Sequence, residues 1–246
     1  MKLSIFDTYE HLSRFSAEQI LETIKSNPRC TLCLATGDSP KLTYQLLVKA
    51  LIDQKTNVGA VHFVALDEWM GVPPSNPGSC HYFLHENVFA PLQIKSQNVH
   101  LFDAFAKDLF KECRKMDEAI TRLGGIDLML VGVGMNGHVG FNEPGASETL
   151  YAHIADLDST TQQVGQKYFS QQTALVKGMT LGLAQFFEAK KVLMLANGKK
   201  KSAIIKNALE GNISMLIPAS MIRKHKNSQV LIDQEAASEL TSTTKS

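Results

Sequence analysis

The 246-residue chain carries almost no excess charge, with 25 Lys and Arg against 24 Asp and Glu. A general nucleic-acid binder shows a basic surplus or a clustered basic face, so no nucleic-acid partner is expected. No apolar run approaches the ~20 residues of a membrane span, and no membrane partner is expected either. Cysteines are scarce: Cys30, Cys33, Cys80 and Cys113 are too few for a disulfide scaffold. Internal repeats and Gly/Pro/Ser-rich linkers are missing, and low complexity is confined to the polar end at 241–246. The N-terminal stretch lacks the apolar core and small-residue cleavage site of a secretory signal, which makes the cytoplasm the expected location.

What is present is an ordinary globular balance. Hydrophobic residues make up 44% and charged residues 20%, which excludes a largely disordered chain. A chain of this length buries about 70–75% of its unfolded surface and needs no covalent staples. Strand-like apolar runs fall at 30–35, 61–66, 99–102, 127–133, 192–196 and 229–232. Helix-like amphipathic runs fall at 17–26, 42–53, 106–123, 179–189, 200–209 and 218–225. Several of the strand-like runs are apolar throughout rather than alternating, the pattern of strands covered on both faces. The expected fold is therefore α/β: a single doubly wound, mainly parallel, Rossmann-like sheet with helices on both faces, spanning residues 1–246.

In such a sheet, ligands bind at the carboxyl ends of the strands. Four strand ends carry chemistry here. The first is followed by Thr36-Gly37-Asp38-Ser39-Pro40, in which Gly37 permits close backbone approach. Ser39 is expected as a helix N-cap and Pro40 as the first helical residue, presenting free N–H groups to an anion. The alternative is a capped turn without a ligand, and Asp38 favours that alternative, since its carboxylate would have to point away from a phosphate. The second strand end delivers Asp67, either a turn cap or a general base in a partly dry cleft. The third delivers Gly132-Val133-Gly134-Met135-Asn136-Gly137-His138 and then Phe141-Asn142-Glu143-Pro144. A histidine with a carboxylate nearby can be held in one tautomer for proton transfer near neutrality. The fourth delivers Asn197-Gly198 and Lys199 to Lys201, either a solvated helix start or a cation for the same anion.

Three further motifs are discounted. Gly132, Gly134 and Gly137 spell GxGxxG, but mid-chain and running into Phe-Asn-Glu-Pro rather than a long helix, so no nicotinamide cofactor is expected. Cys30 and Cys33 lie three apart in a strand and face opposite sides, so they cannot clasp a metal together. His81 and His85 have i,i+4 spacing but no third ligand. No metal site is expected.

These residues carry a resemblance. Leu66-Asp67-Glu68-Trp69 through Ser79, and Gly132 to His138 through Phe141-Asn142-Glu143-Pro144, resemble the two signatures of the glucosamine/galactosamine-6-phosphate isomerase (deaminase) family. Ala35 to Pro40 is similar to that family's phosphate loop, and the likeness continues through Leu209 to Ile213 and Ile232-Asp233. The related 6-phosphogluconolactonases share the fold and the glycine loop with its histidine but lack the Phe-Asn-Glu-Pro extension. The resemblance implies conversion of an aminosugar 6-phosphate to a ketose 6-phosphate and ammonia, without metal or nucleotide. It implies that Asp67 moves a proton between C2 and C1 and that His138 opens the pyranose ring, tuned by Glu143. Asn136 stands where a number of members carry Asp, and it could only orient His138 or the sugar. Thr36, Gly37, Asp38 and Ser39 would form the phosphate loop, with Lys201 as a phosphate-binding cation. Lys167 falls where an Arg commonly grips the phosphate and lacks the Arg fork. His153 and Ala155 fall where regulated members carry basic effector-binding residues, so no activation by an N-acetyl sugar phosphate is expected.

Two other readings remain open at the level of sequence. A lactonase-type hydrolase on the same fold would use His138 to activate water and release no ammonia. A sugar-phosphate-sensing domain would tolerate loss of Asp67 and would usually bring a DNA-binding module, for which no length is spare. The departures at Asp38, Trp69, Asn136 and Lys167 make galactosamine 6-phosphate a contender beside its C4 epimer. Monomer and homo-oligomer are equally compatible with the sequence.

Overall fold

Apolar β-branched and leucine-rich runs, each followed by an amphipathic stretch, build the frame. In the computed structural model, which describes residues 1–241 and Thr244, ten strands and seven α-helices are formed. The strands are β1 (Lys2–Phe6), β2 (Thr31–Leu34), β3 (His62–Ala65), β4 (Asp67–Trp69) and β5 (Val99–His100), then β6 (Leu128–Gly132), β7 (His153–Asp156), β8 (Lys177–Thr180), β9 (Val192–Ala196) and β10 (Ser228–Asp233). The helices are α1 (Tyr9–Ser26), α2 (Asp38–Asp53), α3 (Cys80–Leu84), α4 (Leu109–Arg122), α5 (Ser159–Gly165), α6 (Leu183–Glu188) and α7 (Ser202–Glu210). Of the polar C-terminal end, Ser242, Thr243, Lys245 and Ser246 lie outside the described residues.

Seven strands form one sheet in the order β1-β10-β9-β6-β2-β3-β5, and every pairing in it is parallel. From β2 the chain builds outward to β3 and β5 on one side, then returns to lay β6, β9 and β10 on the other. The order therefore reverses between β2 and β6, the switch point at which open α/β sheets bind ligands. Both faces are covered, as the apolar runs predict. Leu32 and Leu34 pack with Leu12, Ile20, Leu47 and Leu51 of α1 and α2. Cys33 and Ala35 pack on the opposite face with Met116 and Ile120 of α4 and Ile205 of α7. Cys30 belongs with the first set and Cys33 with the second. No helix among the described residues is long and apolar enough to cross a membrane.

A second, three-stranded antiparallel sheet, β4-β8-β7, was not legible in the sequence. It corrects the expected helix at 179–189. Lys177–Thr180 is a strand held between β4 and β7, and the helix begins only at Leu183. Met179 and Leu181 are fully buried, and their apolar character suits a core strand as well as a helix face. This small sheet aligns Asp67 with Thr180, fixing the residue that opens β4 two positions beyond the end of β3.

Leu34 is fully buried in β2 at the centre of the large sheet, whereas Ile52 on α2 is 54% exposed. Leu34→Ala is expected to lower stability by about 3 kcal/mol through lost burial and a residual cavity. Ile52→Ala should change it by less than about 0.5 kcal/mol. Urea unfolding midpoints of the two variants check this contrast.

Candidate active site

The loops leaving β2, β3, β6 and β9 surround a cavity of about 620 Å³. Thr36, Gly37, Asp38, Ser39, Asp67, His138, Lys167 and Lys201 all line it. Asn136 and Glu143 do not; they stand behind His138.

At one side the loop after β2 turns directly into α2. Gly37 holds φ at +103°, a conformation that L side chains rarely adopt, and occupies the N-cap position. This corrects the expected cap. The helix starts at Asp38, so Ser39 and Pro40 lie inside its first turn. The Ser39 hydroxyl instead donates to Asn197 Oδ1 at 2.7 Å, tying this loop to the one after β9. There, Gly198 N–H donates to both oxygens of buried Asp233 at 3.0 Å and sets the turn that carries Lys201.

Lys201 Nζ donates to the Val133 carbonyl at 2.5 Å. Burial pushes its pKa down to about 8, helped by the charge of Lys167 and opposed by Asp38. Lys167, in the short turn after α5, forms a 2.6 Å ion pair with Asp38. Its ammonium also lies 4.8 Å from the centre of the Tyr168 ring. Burial pulls the Lys167 pKa down, but its contacts with Asp38 and Tyr168 outweigh that and the net shift is upward. Asp38, whose carboxylate counted against an anion here at the level of sequence, is paired with one of the cations.

Across the cavity are two neighbouring carboxylates with different fates. Glu68 accepts backbone hydrogen bonds from Trp69, Cys80 and His81 at 2.7–3.0 Å, capping the start of α3. Asp67 is only 8% exposed, and among the described residues its sole hydrogen-bond partner is the Cys80 thiol, at 3.5 Å. Burial raises the Asp67 pKa to about 7, with the Cys80 hydrogen bond opposing and the Glu68 charge adding. A carboxyl poised near neutrality suits proton transfer in either direction.

The third group centres on His138. A Cβ at Gly134 would collide with its ring, so that position admits only glycine while the ring lies where it does. His138 Nδ1 lies 2.9 Å from Thr161 Oγ1 and 3.3 Å from Glu143 Oε2. Asn136 donates from Nδ2 to the same Glu143 oxygen at 2.7 Å and accepts the His138 backbone N–H at 3.2 Å. Asn136 thus orients the histidine and its carboxylate rather than facing the cavity. Burial pushes Glu143 up, but hydrogen bonds from His138, Thr161 and Asn136 and the charge of His138 leave its pKa lowered. An ionised carboxylate only accepts, which favours the proton on Nδ1. Nε2, with no protein partner among the described residues, is then free to take a proton. Thr161 and Cys80 carried no signal in the sequence: one sits in a Ser/Thr run at a helix start, the other just inside a helix cap.

No group of three or more His, Cys, Asp or Glu among the described residues is placed to hold a metal. A family model described as glucosamine-6-phosphate isomerases/6-phosphogluconolactonase matches residues 6–232. The chain belongs to this family. Within the family, it is 38% identical over 239 residues to a glucosamine-6-phosphate deaminase of a Thermoanaerobacter species, covering 97% of this chain and 94% of that protein. It is 36% identical over 239 residues to glucosamine-6-phosphate deaminase 1 of Bacillus subtilis, covering 97% of this chain and 99% of the relative. The solved structure of a monomeric glucosamine-6-phosphate deaminase superposes with a TM-score of 0.93 at 36% identity, over 97% of this chain and 99% of the other. A 6-phosphogluconolactonase from Trypanosoma brucei superposes at 0.77 with 22% identity, over 98% of each chain, and shares the fold.

The Asp67 geometry has a cost to the fold. A carboxyl whose folded pKa is raised binds more protons folded than unfolded, so stability falls as pH rises from the unfolded value near 4 through about 7. Asp67→Asn removes that penalty. It is expected to stabilise the protein by roughly 2–4 kcal/mol at pH 8, with the gain vanishing near pH 4. Thermal unfolding of both proteins across pH 4–8 measures the difference.

Proposed function

We propose that this chain is an aminosugar-6-phosphate deaminase/isomerase, releasing ammonia and forming a ketose 6-phosphate. The observation that carries the reading is the pair of separate proton-transfer groups, Asp67 and His138, facing one cavity whose remaining wall holds Lys201 and Lys167. A single acid–base group would serve a hydrolase. Two are needed when a ring must open before a C–H proton can move.

The phosphate takes the Thr36 to Ser39 loop, with Lys201 and Lys167 as counter-ions, and orients the reacting carbons. His138 Nε2 takes the proton of the C1 hydroxyl and returns it to the ring oxygen as the C1–O5 bond breaks. Glu143, Asn136 and Thr161 hold the imidazole in the tautomer that allows this. Asp67 then removes the C2 proton of the open-chain aldehyde as the C2 ammonium passes a proton to O1, giving an enolamine, and delivers the C2 proton to C1. The resulting C2 iminium adds water and expels ammonia, leaving the ketone. This acid–base sequence calls for no metal or nucleotide. The four cysteines are free and buried, which goes with a reducing, cytoplasmic setting.

Purified protein is expected to release ammonia from glucosamine 6-phosphate or galactosamine 6-phosphate, assayed side by side. Lactone hydrolysis without ammonia from either sugar overturns the reading in favour of a lactonase, and binding without turnover favours a sensor. Asp67→Asn should abolish turnover while sugar-phosphate binding, read by calorimetry, survives.

The pH profile of kcat/KM is expected to be bell-shaped. Asp67 must be ionised, giving an acid limb near 7, and Lys201 must be charged, giving a basic limb near 8. Loss of either limb identifies the group that was misassigned. His153 Nδ1 is engaged with the Tyr151 carbonyl at 2.8 Å, and Ala155 is buried in β7. Added N-acetylglucosamine 6-phosphate is therefore expected to leave the rate unchanged.

A further inference from the structure

Asp67 and Glu68 are adjacent in sequence, yet the fold treats them in opposite ways. Three backbone N–H groups converge on Glu68, whereas none among the described residues reaches Asp67. The contact that Asp67 does have belongs to an ordered array. The Thr36 hydroxyl donates to Cys80 Sγ at 3.2 Å, and the Cys80 thiol donates to Asp67 Oδ1 at 3.5 Å. All three residues line the cavity, and Cys80 is 3% exposed.

We infer that Cys80 is a positioning residue for the base: its thiol, oriented by Thr36, holds the Asp67 carboxyl with a weak donor and so preserves its appetite for a proton. This rests on the deaminase reading of the site. A hydroxyl at the same place would donate more strongly and make the carboxylate a poorer base; no donor at all would leave it unoriented and more basic. Burial keeps the thiol itself neutral, its pKa raised well above the usual value. The other titratable groups facing Asp67 are Glu68 on the same strand, Cys33 on β2 and Tyr44 on α2. Burial also keeps Cys33 and Tyr44 protonated, so neither supplies a counter-charge.

The test compares the full-length wild type, Cys80→Ser and Cys80→Ala. Infrared difference spectra of each against its Asp67→Asn counterpart titrate the Asp67 carboxyl directly. The midpoint is expected to fall by roughly one pH unit in Cys80→Ser and to rise by about half a unit in Cys80→Ala. The acid limb of kcat/KM should move in the same two directions, which a purely structural role would not produce. Coincident midpoints, or shifts of the same sign in both variants, overturn the inference. If the midpoints separate as expected but the wild type releases no ammonia, the coupling of thiol and carboxyl stands and the deaminase reading falls. If ammonia is released and the midpoints coincide, the reading stands and the role of Cys80 falls.

Discussion

The reversal of strand order between β2 and β6 is the constraint from which the site follows. Parallel strands must send every connection over a face, and at the reversal two successive connections leave in opposite directions. The gap between them is filled by neither helix layer. The loop after β2 and the glycine loop after β6 border it, and β3 and β9 bring Asp67 and Lys201 to its sides. The hydrogen bonds between these loops are few but well placed. Ser39 reaches Asn197, Thr36 reaches Cys80 and Lys201 reaches the Val133 carbonyl. Two of them join the end of one strand to that of another and the third joins β2 to the start of α3, so the wall behaves as a single surface carried by the sheet.

Within that wall, the pair Asp67 and Glu68 shows how the fold separates structural from reactive chemistry. Both carboxyls are buried, and burial alone disfavours the charged form. Glu68 accepts N–H groups from Trp69 and from the start of α3, which lower its pKa, yet burial leaves it raised. Asp67 is denied such donors and sits where a substrate carbon could reach it. On the other side, the Glu143 carboxylate is surrounded by His138, Asn136 and Thr161, and its charge is stabilised rather than spent on catalysis directly. Of these three carboxyls, burial leaves Asp67 and Glu68 raised, whereas the donors and charge around Glu143 leave it lowered.

Most of this arrangement was legible from the order of residues along the chain. Continuous apolar runs such as Val192–Ala196 mark central parallel strands because both faces are covered, and Gly134 and Gly137 mark a backbone that passes close to the His138 ring and to Ile217. What was illegible depended on contacts distant in sequence. Lys177–Thr180 carries the same apolar content as a helix flank, and only its pairing with Asp67–Trp69 and His153–Asp156 makes it a strand. The helix after β2 begins earlier than Ser39 suggests because Gly37 takes a positive φ and bends the chain first. Thr161 lies 23 residues from His138 and Cys80 lies 44 residues from Thr36, and no local pattern announces either contact. Asp38 looked out of place beside an anion site because Lys167, 129 residues away, had not yet been brought to it.

That last pair shapes how a ligand meets the cavity. With Asp38 already beside Lys167, the mouth presents a dipole rather than a bare positive charge before anything binds. Long-range attraction of an approaching anion then falls to Lys200 and Lys201, which line the same cavity, rather than to Lys167. On the reading proposed above, a substrate phosphate would gain Lys167 only by displacing the Asp38 carboxylate from it. Recognition of that kind would be a short-range swap of one anion for another, rewarding a correctly seated phosphate over a merely nearby one.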